Sequence, residues 1–392
     1  MKPEHHFFLA GLLFVLWVPT TLGQSDKTTE WIATLQSGEA SLEAKAKACR
    51  QLGESGNEKA IPALAALLDD RILSAYARAA LERIPDKAGL QALSNALDTV
   101  SPARIPGILD SLGALGATAS TDKIIPLVKL EDPITARSAM LTLGKLATRE
   151  AMATLDQALQ SASGQRQQDA AAALLLGADQ HLQAGASGKA RSIYDTLLKT
   201  KLPITFHVAA TRGGMHARRG EDRAGFFLRN WRSKEAALRN AVLLALREAP
   251  TPAMADLLNA ELRKTTNPDQ EIQLLSALED CHNEASIDLL TSRLGEEEEG
   301  IRIASLKTLS SAGGAKAARS LVDHLKNHPS DRDLTQRQLA RMEEPAVDEE
   351  ILKRLKASPI PPTFCRSLIE LSSDRNLRRA TPLLLEKAGH DP

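Results

Sequence analysis

The residues most able to do chemistry are few. His324 and His328 lie four apart in "DHLKNH", with Asp323 adjacent. That spacing puts both imidazoles on one face of a helix and can seed a zinc site, but the sequence supplies no third ligand in a defined geometry. The pair therefore reads as two solvated histidines near a helix end, ahead of Pro329. His207 and His216 flank "VAATRGGM" without a carboxylate close in sequence. Glu296–Glu299 is an unbroken acidic run, whereas an EF-hand loop alternates its ligands around a central glycine. A solvated turn fits better, its acids favouring the positive end of the following helix. Cys-x-x-Cys-His, His-Glu-x-x-His, the phosphate-binding Gly-x4-Gly-Lys-Ser/Thr and Gly-x-Ser-x-Gly do not occur. The expectation is a protein that is not an enzyme, with no catalytic residue, no cofactor and no metal site.

One stretch differs in character. "RGGMHARRGEDRAGFFLRNWRSKEAALR" (212–239) carries eight Lys/Arg against three acids, in a chain of net charge zero. Phe226, Phe227 and Trp231 fall inside it, although the whole chain is only 3% aromatic. Basic residues interleaved with rings can bind nucleic acid, anionic sugars or an acidic protein. The plainer reading makes the rings core, since Phe227 and Trp231 are four apart, and the arginines a solvated face. Arg218, Arg219, Arg223, Arg229 and Arg232 are the candidate partner-binding residues.

The elements that position these residues are helices. Leu52 to Ile84 is 32 residues, Leu112 to Leu143 is 31, Leu246 to Leu278 is 32, Leu278 to Leu309 is 31 and Leu339 to Leu371 is 32. A constant step of 31–32 across most of 392 residues indicates a repeat array. Each copy holds two helix-length apolar patterns. Ile61, Leu64, Leu67 and Leu68 share one helical face, as do Ala136, Ala139, Met140 and Leu143. Alternating strand patterns are almost missing, so the fold class is all-α. About eleven helical hairpins stack as an α-α superhelix, because a lone hairpin cannot cover its own apolar faces. Abundant alanine permits close helix approach, and Gly144 permits either that or a helix exit.

The N-terminus "MKPEHHFFLAGLLFVLWVPTTLGQ" has an apolar run from Phe7 to Val18, then small and polar residues. This is the layout of a secretory signal peptide over 1–23, cleaved after Gly23, and the run of twelve is short for a membrane span. No later run approaches eighteen apolar residues. Cys49, Cys281 and Cys365 are widely spaced and odd in number, unlike a disulfide framework, and read as small buried hydrophobes.

The two-helix unit resembles a HEAT repeat of the short bacterial type. A Pro opens the first helix, Asp or Asp-Pro closes it, and an apolar-Arg pair opens the second. Here these are Pro62, Asp69 and Asp70; Pro126, Asp132, Pro133 and Arg137; Leu238 and Arg239; Ile301 and Arg302. The resemblance implies that such Asp and Arg residues bond around turns and between neighbouring copies. It covers 31–388 and departs at Ser233 and at Glu296–Glu299, where the turn Asp is replaced. Gly185, Ala190, Tyr194 and Pro203 match a tetratricopeptide-like hairpin around 170–203, set within a single continuous array over 24–392. Only "KASPIPPTF" (356–364) is a strong breaker.

The functional expectation is a non-catalytic, exported scaffold that binds another protein, in the periplasm or outside the cell, with no membrane span in the mature chain. Alternatives are an enzyme or bilin-type lyase, which aromatic poverty and the leader argue against. Nucleic-acid binding is a further alternative, opposed by the balanced charge.

Overall fold

The computed structural model describes residues 22–388, apart from 282 and 344. The proposed leader lies almost wholly outside the described residues. Among the described residues there are twenty-three α-helices, seven short 3-10 segments and no strand, so the protein is an all-α helical solenoid. No helix among them is long and apolar enough to cross a membrane. The chain divides into two compact units, 1–177 and 178–392.

In the first unit, polar residues start the helices. Ser41, Asp86, Asp132 and Thr148 each accept a hydrogen bond from a first-turn backbone N–H, the ordinary N-cap device. The proline-opened helices are shorter than the apolar pattern suggests. Ile61–Ala65 passes directly into turns, and the segment after Thr121–Ile124 tightens to a 3-10 helix over Ile125–Lys129. Pro126 has no N–H to continue the α-helical ladder. The turn aspartates act as the repeat resemblance implies. Asp70 accepts from the N–H groups of Ile72 and Leu73, both at 2.7 Å. Asp69 reaches the next copy and accepts from the Ser101 N–H and hydroxyl at 2.7 and 2.6 Å. Gly144 lies inside the helix Pro133–Leu146, where a Cβ would stand 2.3 Å from the Ala173 carbonyl oxygen. Close approach, rather than helix exit, is its role.

Of the stretch 170–203, the second unit holds the residues from 178 onward, including the helix Ser187–Lys199. Ser187–Lys199 buries Ala190 and Tyr194, and Gly185 takes the left-handed conformation (φ 76°) in the turn before it. From Met215 to Ala380 the unit encloses one continuous apolar cluster. Across both units the eight leucines and one isoleucine that mark the period are all buried. Each contributes roughly 1.5–3 kcal/mol of burial.

Polar groups bind copy to copy across about one period. Thr142 donates to the Leu109 carbonyl and Thr308 to the Leu275 carbonyl, in each case 33 residues back. Arg247 meets Asp280, Arg302 meets Asp331 and Arg354 meets Asp323. Arg302 also donates to the carbonyls of Glu296 and Glu297, which are held as a turn ahead of the helix Glu299–Ala312. The cysteines are free thiols; Cys49 is buried and the other two are half-buried. The breaker at 356–364 separates the helix Pro345–Lys356 from Pro362–Asp374.

Candidate partner-binding site

The basic, ring-bearing stretch falls on two consecutive helices of the second unit, Ile204–His216 and Gly220–Trp231. Two adjacent glycines let the first helix pack. A Cβ on Gly213 would stand 2.3 Å from Cζ of Tyr194, and one on Gly214 would stand 2.9 Å from Cζ of Phe226. Tyr194 is fixed there because its hydroxyl donates to Asp179 at 2.5 Å. Burial and that neighbouring carboxylate push its ionisation well above the usual phenol range.

Phe226, Phe227 and Trp231 are all core residues. Phe227 and Trp231 stack with ring centroids 6.3 Å apart. The arginines are not a uniform solvated face, which corrects the sequence-based expectation for two of the five. Arg218 is buried, with its side chain 3% exposed. Its guanidinium lies 4.0 Å from the Phe226 centroid, pairs with Asp195 at 2.5 Å and approaches Asp222 at 3.5 Å. It also donates to the Gly214 carbonyl in the last turn of its helix, where a cation meets the negative helix end. Arg223 is likewise buried and donates to the Ala249 carbonyl at 2.9 Å, capping the helix Ala236–Glu248. Desolvation by burial pushes its pKa down, and the nearby Arg219 adds to this.

Arg219, Arg229 and Arg232 remain exposed. Arg232 pairs with Glu261 at 3.1 Å, Arg219 donates to the His216 and Arg218 carbonyls, and Arg229 sits 5.7 Å from the Phe226 centroid. Beside them lies an open cleft of about 690 Å³, walled by these two helices and by Ser187–Lys199. Its charged lining is Arg191, Lys199, Arg218 and Arg229 against Asp195 and Asp222, with His207 alongside. Another cleft of about 640 Å³, in the first unit, is lined mainly by Ile61, Pro62, Ala65, Ala92, Ala96 and Val100. It offers apolar contact but no charge beyond Asp69.

His207, His216, His324 and His328 are engaged. His216 Nε2 lies 2.9 Å from Glu248, which also takes two bonds from Arg212. Those bonds, Arg212 first, hold the Glu248 carboxyl below its usual range. His207 contacts the Thr200 carbonyl at 3.0 Å. His324 is buried rather than solvated, stacked on His328 at 4.2 Å and 3.1 Å from Asp331. Burial depresses its pKa more than the Asp331 hydrogen bond raises it. Among the described residues no group of three or more His, Cys, Asp or Glu is placed to hold a metal ion. His216 and Glu248 are 32 residues apart, one repeat period. Residues that far apart are neighbours in a stack, and this is the sequence signal by which the pair is found.

The HEAT repeats family profile matches residues 255–341. No curated protein sequence matches the chain. Among solved structures, the karyopherin Kap121p bound to the extreme C-terminus of the protein phosphatase Cdc14p is similar in fold, with a TM-score of 0.51 and 14% identity. The match covers 92% of this chain and 45% of Kap121p, so the chain spans a little under half of the karyopherin's length. Human deoxyhypusine hydroxylase in complex with glycerol aligns at 17% identity and TM-score 0.27, over 74% of this chain and 97% of its own. The CpcE–CpcF complex of phycocyanin lyase from Nostoc sp. aligns at 16% identity and 0.31, over 61% and 94%. At those two scores the likeness carries no argument.

Proposed function

We propose that this HEAT-repeat solenoid is a non-catalytic scaffold that binds another protein, and that it acts outside the cytoplasm after loss of residues 1–23. The observation that carries the reading is how the polar groups are allotted. The pairs that resemble catalytic or metal-binding constellations are used inside the stack: His324 with Asp331 joins a helix to the turn that follows it, and His216 with Glu248 ties one copy to the next. Arg191, Lys199 and Arg229 at the large cleft, by contrast, stay on the surface. Stacked copies keep their core while exposed helix faces vary, which suits recognition of a partner. In the karyopherin, a solenoid of this fold holds the end of another protein's chain.

The test is crosslinking and affinity capture with the chain from residue 24 onward, using the exported protein fraction. A partner enriched over an unrelated helical bait supports the reading. No enriched partner, together with a bilin or haem absorbance shift on mixing, would replace it with the lyase alternative. Export is checked separately by intact mass, which places the first residue at Gln24 if the leader is removed as proposed.

A further inference from the structure

We propose that the cleft walled by Ser187–Lys199, Ile204–His216 and Gly220–Trp231 docks an acidic, carboxylate-bearing peptide segment of the partner. The proposal rests on the scaffold reading and names the chemistry of what the scaffold holds.

The charge arrangement carries it. Arg191 is matched by Asp222 at 3.0 Å, and buried Arg218 by Asp195. Lys199 and Arg229 line the same cleft, both exposed, and neither has an acid partner among the described residues. The cleft therefore keeps a surplus of two positive charges. The sequence around it leans the same way: residues 187–239 hold twelve Lys/Arg and four acids, in a chain whose net charge is zero, and of these cations Arg212 and Arg232 are matched by Glu248 and Glu261 from outside the stretch. Such a field steers an anionic segment to the cleft and raises its association rate at low salt. The floor is prebuilt, because Arg218 is locked by Asp195, the Gly214 carbonyl and the Phe226 ring, so docking orders nothing there. Leu198 and Leu238, both half-buried, offer apolar contact to the aliphatic stems of Glu side chains.

The same geometry disfavours a nucleic acid. Sequence-tolerant single-strand binding needs exposed rings on which bases stack. Phe226 is covered by Arg218, while Phe227 and Trp231 are buried. Asp195 and Asp222 on the wall would also face a continuous phosphate chain.

The experiment is fluorescence anisotropy on the full chain, with a labelled twelve-residue Glu-rich peptide and a Gln-rich counterpart. A single-stranded oligonucleotide of equal charge is run beside them. The Glu-rich peptide should bind at least tenfold more tightly than the Gln-rich one, and lose about tenfold between low and high salt. Lys199→Glu with Arg229→Glu should weaken it at least tenfold, whereas Lys59→Glu with Lys307→Glu, both exposed and outside the cleft, should not. Lys199→Gln with Arg229→Gln repeats the test with a smaller expected loss should the Glu variant misfold. Equal binding of the two peptides, unchanged binding by the cleft variants, or tighter oligonucleotide binding that the cleft variants abolish would overturn the assignment. If the peptide fails while affinity capture still yields a partner, the cleft assignment falls and the scaffold stands. If capture yields none, both fall.

Discussion

Replacing Gly213 by alanine tests whether the packing behind the cleft is as tight as described. On helix propensity alone the change should stabilise Ile204–His216 by about 1 kcal/mol. The structure predicts the opposite. A Cβ there would meet Tyr194 at 2.3 Å from Cζ, 2.4 Å from Cε1 and 2.7 Å from the hydroxyl oxygen. The ring must withdraw by about an ångström, an overpacking cost of about 2 kcal/mol. Withdrawal also breaks the 2.5 Å bond to Asp179, at about 1 kcal/mol more. Against the propensity gain, the net loss is about 2 kcal/mol. Native-state hydrogen exchange reads this locally, as roughly 30-fold faster exchange of amides in 187–199 and 204–216. Gly188→Ala is the control, since a Cβ there meets nothing within 4 Å, and its exchange should slow or stay unchanged. Tyr194→Leu combined with Gly213→Ala should cost less than the sum of the two single changes. Slower exchange in Gly213→Ala, or full additivity, would refute the reasoning.

Because burial holds the His324 pKa below its unfolded value of about 6.5, the unfolded chain binds the proton more readily. Stability is full above pH 6.5 and falls as the pH drops through the depressed value; urea midpoints at pH 7 and 5 should show the drop, smaller in His324→Gln. Burial pushes the Cys49 and Cys281 thiols up to about 11, so iodoacetamide at pH 8 should leave Cys49 unmodified in peptide mass spectra until urea is added. Gly144→Ala drives a methyl into the Ala173 carbonyl and should lower stability by about 2–3 kcal/mol, read as a lower urea midpoint by circular dichroism.

What the sequence made legible was whatever repeats. The period-marking leucines are buried where spacing puts them, because burial on a stacked helix depends on local periodicity that any copy displays. The turn residues Asp69 and Asp70 were legible through the repeat resemblance, whereas Gly144 was narrowed only to close approach or helix exit until the Ala173 carbonyl beside it decided between them. The middle of the second unit was less legible. Composition counts arginines without saying which will be inside, and Arg218 is inside because Asp195 and Phe226, on two different helices, together offset the loss of its hydration. Arg223 is inside because a helix that begins thirteen residues later ends against it. Likewise His324 looked solvated beside Pro329, but the carboxylate that accompanies it, Asp331, lies in the following 3-10 turn. Local pattern reports a face; only the folded chain reports the partner.

Thr142 and Thr308 each find a carbonyl 33 positions upstream, and that reach works only if the intervening segment keeps its length. Losing three or four residues within one copy would rotate the hydroxyl away from its acceptor and pass the misfit to the neighbour. Losing or duplicating a whole copy would return it to an equivalent oxygen. Chain length in a molecule built this way is thus effectively quantised: it can grow or shrink by one rung at a time, while fractional steps are penalised at every junction they reach.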